Sequence, residues 1–366
     1  SHLIIDFSAV RQEVVDLFDE LNDLNLFFSN LQFIYGVTLY ERESVIVLDG
    51  VQHAPQVRQA IRQLVEDHRY DYIEIGSYLT ISQELKVILS STELAIKMFP
   101  MDYEEYCWAS GEMEMITLLR EHYEKKIPLS EVAHQKVLNH FKHYMLVGGM
   151  PGAVSEYLKT SDFIVADRVK RNILDLYKVD FFKLNPRGHI SCIFDSIPGQ
   201  LTSNASRFKA STADSSLKHR IINRLLPIMS ESMAVNVAYN VSEPAVGIEA
   251  EEPSQSYKLF LGDNGLLVTL ANKGQNPEEN SIYQKLLSED IQPDLNYLYL
   301  NVVAQLLTAR GERLIYHIIP YQSKKHNYRV DFLLYRDKHV IPLEVKSSVY
   351  QTHKSLDAFC EMYSSQ

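Results

Sequence analysis

Short apolar runs alternate with amphipathic stretches along the first hundred residues of the chain. Strand-like runs occupy residues 3–7, 44–48 and 72–75, and the stretches 10–24 and 56–68 repeat apolar residues at helical spacing. Buried strands that alternate with helices are typical of a parallel, doubly wound sheet. The N-terminal third is therefore predicted to be an α/β structure.

The pattern becomes mainly helical after Pro100. Apolar positions at helical spacing continue to residue 182, with an interruption at the glycine-rich turn Gly148–Gly152. This region is predicted to form a helical lid or subdomain. Its predicted helices cover residues 103–111, 114–125, 129–141 and 167–182.

The remaining residues carry two successive patterns. Three short helical patterns followed by a β-hairpin indicate a winged helix-turn-helix. After it, one amphipathic helix precedes three strands. The helical patterns cover 190–201, 205–208 with its flanks, and 217–229; the hairpin strands cover 234–241 and 257–261; the last helix covers 301–309 and the last strands 314–318, 329–335 and 340–346.

The composition fits a globular chain with several domains. Its 366 residues, 46% of them hydrophobic, suffice for two or three domains. The formal charge of −11 argues against nucleic-acid binding through bulk charge but is compatible with a local basic face. Three widely separated cysteines predict free thiols. No apolar run approaches the roughly 20 residues that cross a bilayer, and no secretory signal opens the chain, so we expect a cytoplasmic protein without a membrane partner.

Asp49 stands directly after the apolar strand at 44–48. Open α/β sheets bind ligands at the carboxyl ends of their strands, so Asp49 is a candidate to hold Mg²⁺ through water beside a nucleotide. Ser77 follows the next strand and is predicted to place its hydroxyl beside the same ligand. A strand that ends in Asp-Gly is also a common turn signal, so a purely structural role stays open.

The chain contains no GxxxxGK[ST] segment, the loop whose backbone amides and lysine bind nucleotide phosphates. Tight triphosphate binding is hard to build without it. Because Leu3 already begins a buried-strand pattern, we expect that a preceding strand, loop and helix are missing.

A second candidate site combines Asp331 with Glu344 and Lys346. The three residues lie on consecutive strand patterns, and Glu344 and Lys346 are two positions apart, which predicts that they share a face. In such a D…ExK arrangement the carboxylates bind a divalent metal and the lysine positions the attacking water of a nuclease. The alternative is an edge strand whose ionic residues satisfy one another.

Lys218, Arg220 and Arg224 lie on the third helix of the predicted winged helix. They would contact phosphates if that helix entered a major groove. A solvated helix face is the alternative, because the wing region that follows is rich in Glu and carries no basic cluster. DNA is therefore one candidate partner, and a protein is another.

Seven short strings stand in one order along the chain: LDGVQ at 48–52, IGS at 75–77, MDYEEY at 101–106, GGMP at 148–151, IFDSIP at 193–198, KLFLGDNGLL at 258–267, and VDF at 330–332 with PLEVK at 342–346. In this order they resemble a large bacterial and archaeal family of AAA-type ATPases. The family's C-terminal domain of unknown function combines a winged helix with a PD-(D/E)xK nuclease-like fold. The likeness covers nearly the whole chain.

The resemblance implies a fold, a set of boundaries and cofactors. It implies a truncated AAA-type ATPase core with a parallel P-loop sheet at 1–100, a helical lid at 101–186, a winged helix-turn-helix at 187–275 and a restriction-endonuclease-like α/β domain at 276–366. ATP and Mg²⁺ are the implied cofactors, and assembly into an oligomer is compatible with it.

Three positions depart from the family pattern. Gly50 stands where the family has the Glu that orients the hydrolytic water, Leu300 stands where the C-terminal domain often has a Glu, and Arg329 replaces an acidic residue beside Asp331. The preferred hypothesis is therefore an AAA-type ATP-binding protein that lacks hydrolysis. The alternatives are a metal-dependent nuclease and a non-catalytic DNA-binding regulator.

Overall fold

The computed structural model describes residues 1–76, 93–244, 256–275, 279–288, 295–319, 328–337, 339–347 and 353–363. The chain divides into two compact units, Ser1–Lys97 and Met98–Gln366. Within the described residues, the first unit encloses one cluster of buried apolar side chains and the second encloses three.

Three parallel strands form the sheet of the first unit, in the order β1-β2-β3. Ile5 and Leu48, on neighbouring strands, are fully buried in the core that the helices cover. This confirms the α/β prediction for the N-terminal third. The elements are β1 (His2–Asp6), α1 (Gln12–Asp16), α2 (Leu24–Tyr35), β2 (Val45–Asp49), α3 (Pro55–Glu66) and β3 (Asp71–Ile75).

The single helix predicted at 10–24 is wrong in its extent. α1 ends at Asp16 and a short 3₁₀ turn follows it, whereas α2 is a separate helix that the apolar pattern did not predict. The side chain of Asp23 accepts hydrogen bonds from the backbone N–H groups of Asn25 at 2.9 Å and Leu26 at 3.1 Å. These bonds make Asp23 the N-cap of α2, which therefore begins as a helix of its own.

The second unit begins with a run of helices, as predicted for a helical subdomain. The Pro151 that follows the glycine turn begins a helix of its own, because proline is tolerated in the first turn. The helices are α4 (Tyr103–Ala109), α5 (Met113–Lys125), α6 (Glu131–Val147), α7 (Pro151–Thr160), α8 (Phe163–Leu184), α9 (His189–Thr202), α10 (Ala210–Ala213) and α11 (His219–Glu231).

The helical pattern around 205–208 is wrong in its position, because the short helix α10 begins only at Ala210. Phe208 instead binds the neighbouring strand: its backbone N–H donates to the carbonyl of Tyr257 at 2.7 Å. Its ring also stacks on the Tyr257 ring, with centroids 6.0 Å apart. These contacts hold residues near 208 out of a helix.

A mixed sheet in the order β5-β4-β6-β7 and a separate antiparallel pair, β8-β9, complete the second unit. β4 pairs antiparallel with β5 and parallel with β6, so the predicted hairpin is part of a larger sheet and is largely buried. The winged helix therefore stays a prediction. The elements are β4 (Val235–Val241), β5 (Tyr257–Leu261), α12 (Asn264–Ala271), α13 (Ser281–Leu287), α14 (Asn296–Ala309), β6 (Ile315–Ile319), β7 (Tyr328–Val330), β8 (Phe332–Arg336), β9 (His339–Leu343) and α15 (Lys354–Tyr363).

Three of the seven strings meet where α6 ends and α12 begins. The buried carboxylate of Asp263 accepts hydrogen bonds from the backbone N–H of Gly149 at 2.5 Å and of Leu266 at 2.8 Å. Met101 donates its N–H to the Gly149 carbonyl at 2.8 Å, and a Cβ on Gly149 would collide with the Met101 carbonyl. These strings therefore build a packed junction.

A membrane-spanning helix is not found in the part of the chain that the structure describes, since every described helix is too short or too polar.

Candidate functional sites

Two carboxylates end neighbouring strands of the first unit, because the register pairs Asp6 with Asp49. Asp6 accepts hydrogen bonds at Oδ1 from the Ser8 hydroxyl at 2.6 Å and the Ser8 backbone N–H at 2.9 Å, and these bonds lower its pKa. Asp49 is half-buried, and among the described residues its side chain has no hydrogen-bonding or ionic partner. The carboxyl edge of the sheet therefore presents one satisfied and one available carboxylate.

Sequence reasoning identified Asp49 but did not assign Asp6 to the site. The signal was the same for both, since Asp6 also follows an apolar strand directly. Ser77, the third predicted residue of this site, lies outside the described residues. The parallel order of the strands nevertheless brings Asp6 and Asp49 to one edge, as the general rule for such sheets requires.

Gly50 follows Asp49 in the left-handed region, at φ 71° and ψ 32°. Residues with a Cβ adopt that region at a cost of roughly 1–2 kcal/mol, whereas glycine adopts it freely. Its N–H donates to the Ile75 carbonyl at 2.9 Å, which joins the turn to the next strand. The backbone here therefore favours glycine at position 50.

The second candidate site is assembled by the β8-β9 pair. The register ends with the pair Phe332 and Leu343, and Asp331 and Glu344 are the residues that flank this pair in the chain. The backbone N–H of Val345 donates to Asp331 Oδ2 at 3.1 Å. Lys346 Nζ lies 2.6 Å from Glu344 Oε1. The structure thus brings the three predicted residues into one small region.

Two features of this region differ from the prediction. β9 ends at Leu343, so Glu344 and Lys346 follow the strand and do not lie on it. Arg329 Nε donates to Asp331 Oδ1 at 3.1 Å, so that carboxylate already has a cationic partner. Within the described ranges, no group of three or more His, Cys, Asp or Glu side chains is arranged to hold a metal ion.

The third candidate site is the N-terminal part of α11. Lys218, Arg220 and Arg224 are all exposed, and none of them has a hydrogen-bonding or ionic side-chain partner in the described part of the chain. The apolar face of the same helix is buried through Ile222, Leu225 and further residues. The basic residues therefore form a solvated face on a helix that is fixed from behind.

Comparison with known proteins divides the chain into three segments. Residues 3–107 match the family model of an AAA domain. Residues 138–277 match a domain of unknown function, DUF8612, and residues 298–366 match another, DUF4143. No curated protein and no solved structure matches the chain. The chain thus carries an AAA-type domain at its N-terminus and domains of unknown function in the remainder.

Proposed function

We propose that this chain is an AAA-type nucleotide-binding protein that does not hydrolyse ATP in this form and that acts through its C-terminal unit on DNA or on a protein. The available carboxylate of Asp49, at the carboxyl end of the central strand, carries this proposal. The match to an AAA domain over residues 3–107 supports it.

The residues at this edge fit Mg²⁺ better than they fit a phosphate chain. Mg²⁺ keeps several waters and takes one or two carboxylates, and Asp49 is free to accept such a hydrated ion. When bound, the ion would offset the charge of nucleotide phosphates. No phosphate-binding loop accompanies it in the sequence, so we expect weak nucleotide binding.

The lack of hydrolysis rests on Gly50. A general base needs a carboxylate within reach of the attacking water, and glycine has no side chain. The left-handed backbone at this position also disfavours the Glu that would restore one.

Calorimetry with Mg²⁺ and ATP tests the proposal, together with an assay of phosphate release. The Asp49→Ala variant is expected to weaken binding about 10–100-fold, which is typical for the loss of a group that holds a metal through water. Asp71→Ala is the matched control, because Asp71 begins β3 at the opposite end of the sheet. We expect it to bind as the unaltered chain does.

The two halves of the proposal fail separately. If the unaltered chain does not bind Mg²⁺ and ATP, or if Asp49→Ala binds equally well, the nucleotide site is not at this edge. If the unaltered chain releases phosphate and Asp49→Ala does not, the chain hydrolyses ATP without a Glu at position 50.

A metal-dependent nuclease is a second candidate, because Asp331 accepts a hydrogen bond from Val345, the residue after Glu344, and Lys346 lies beside Glu344. Such a site would bind the metal through the two carboxylates, and the ion would polarise the scissile phosphate. The ion pairs of Asp331 with Arg329 and of Glu344 with Lys346 compete with this use. Plasmid nicking in Mn²⁺ that is lost in Asp331→Asn, and retained in the exposed control Asp357→Asn, would establish this activity.

A further inference from the structure

Lys258 is a buried cation without a polar partner. It lies on β5, and its side chain faces the same side of the sheet as Phe260 and Tyr316. The residue is 6% exposed, and its ammonium makes no hydrogen bond or ion pair within the described residues. Its nearest compensation is the Tyr316 ring, whose centroid lies 5.2 Å from Nζ.

An unpaired buried ammonium is costly, because it loses its hydration without gaining an anion. A cation–π contact of this kind returns only part of that cost. Burial, together with the nearby charge of Arg329, lowers the pKa of Lys258 to about 7. The position is therefore unfavourable for folding alone, which points to a role in binding.

A small cavity opens beside Lys258. Its buried side is formed by Lys258, Phe260 and Leu300, and its mouth carries the exposed residues Asn204 and Arg207. The cavity measures about 20 Å³, which is room for about one water or one ligand oxygen. A larger group can thus insert one atom and leave the rest at the mouth.

The surroundings carry an excess of positive charge. Arg329 donates from Nη2 to Asn204 Oδ1 at 2.8 Å, so its guanidinium lies at the mouth of the cavity. Arg207 itself lines the cavity. The Lys258 site therefore combines three cations, Lys258, Arg207 and Arg329, with one carboxylate, Asp331, which is paired with Arg329.

We propose that the Lys258 site binds a phosphoryl group, with one oxygen inserted beside the Lys258 ammonium and the others held by Arg207 and Arg329 at the mouth. Charged donors bind phosphate oxygens through short, strong hydrogen bonds, and arginine binds them in pairs. The group comes either from inorganic phosphate or from the 5′-phosphate end of a nucleic acid. The site lies in the second unit and does not depend on the nucleotide site proposed at Asp49.

Calorimetric titration with inorganic phosphate tests the site directly. Loss of one charge-assisted hydrogen bond corresponds to about a 10–100-fold weaker affinity, so we expect Lys258→Met to bind at least about 10-fold more weakly than the unaltered chain. Lys354→Met, on the exposed surface of α15, is the matched control and is expected to bind normally.

A second variant covers the case in which Lys258→Met fails to fold. Arg207 lines the mouth of the same cavity and is exposed, so Arg207→Met removes one proposed phosphate donor without changing the apolar core. We expect this variant to fold, as checked by circular dichroism, and to bind phosphate at least about 10-fold more weakly than the unaltered chain.

Two oligonucleotides of one sequence, with a 5′-phosphate and with a 5′-hydroxyl, distinguish the sources of the group. Tighter binding of the phosphorylated strand, lost in Lys258→Met, assigns the site to nucleic-acid ends, and binding of inorganic phosphate alone assigns it to the free ion. Failure of the unaltered chain to bind either probe overturns the proposal. Normal phosphate binding by Arg207→Met or by a folded Lys258→Met overturns it too.

Discussion

Single glycines decide how closely two segments of the second unit approach. Gly149 lies against the Met101 carbonyl, and Gly265 lies against the Val147 carbonyl, so neither position has space for a Cβ. The Asp263 carboxylate joins these segments through the N–H of Gly149. Buried junctions of this kind tolerate no added carbon, because neighbouring backbone cannot move aside.

Gly149→Ala is expected to lower the free energy of unfolding by about 3 kcal/mol or more, since the new methyl group would overlap backbone. Gly199→Ala is the control: Gly199 lies in helix α9 with nothing within 4 Å of an added Cβ. Alanine at this helical position should raise the free energy of unfolding by up to about 1 kcal/mol. Chemical denaturation measures the free energy of unfolding of both variants. Equal effects of the two substitutions would contradict the tight packing proposed at Gly149.

The positions of candidate residues could be predicted where they follow a local pattern. Asp49 lies directly after an apolar run, and Asp331 and Glu344 lie next to two successive strand patterns, although their roles stay predictions. Lys258 was not identified as a site residue, because a single lysine in an apolar strand reads as an ordinary outward-facing position. Only the pairing of β5 within the sheet shows that this side chain is buried.

At the scale of elements, α11 separates its two faces clearly. The apolar face packs into the core through Ile222, Leu226 and Met229, which are nearly or fully buried. The opposite side of the first turns exposes Lys218, Arg220 and Arg224. If the second unit acts on DNA, as one alternative of the proposal has it, this basic face would contact the backbone of the duplex.

The double substitution of Arg220 and Arg224 by Ala is expected to weaken duplex binding. It should also reduce the slope of log affinity against log salt concentration by the amount that corresponds to about two phosphate contacts. Fluorescence anisotropy at several salt concentrations measures both quantities. Arg62→Ala and Arg120→Ala together remove the same charge from exposed positions on other helices and serve as the control. DNA binding that is unchanged by the α11 substitutions would exclude this face.

Prediction of whole elements depended on whether their signals were local. The strands of the first unit were predicted nearly to the residue, because each is a short apolar run between polar turns. The division between α1 and α2 was missed, since the Asp23 cap interrupts a continuous apolar pattern. The parallel pairing of β4 with β6 has no local signal, because Tyr239 and its partner Ile315 are far apart in the chain.

At the scale of the whole molecule, partly or fully buried histidines link the free energy of unfolding to pH. Burial lowers the pKa values of His140, His143 and His317, all in the second unit. The unfolded chain therefore takes up more protons than the folded chain as the pH falls below the ordinary histidine pKa. The neutral histidines make their full contribution to the free energy of unfolding above that pKa, and this contribution is lost progressively as the pH falls below it.

We expect the free energy of unfolding to be smaller at pH 5.5 than at pH 7, and His317→Gln to show a shallower decrease. His317 Nδ1 lies 2.7 Å from the Val241 carbonyl, and the Gln amide can donate to the same oxygen. Urea denaturation at both pH values measures the difference. His339→Gln, at an exposed position, is the control. If the free energy of unfolding changes equally with pH in the unaltered chain and in both variants, His317 does not contribute to its pH dependence.

The shared sheet of the second unit constrains how its two segments of unknown function can be exchanged between related genes. β4 belongs to the segment that matches one domain of unknown function, and β6 belongs to the segment that matches the other, yet the two strands are hydrogen-bonded neighbours. A chain that acquired one segment without its companion would expose an unpaired strand, which favours aggregation. We therefore expect recombination in related genes to exchange the two segments together.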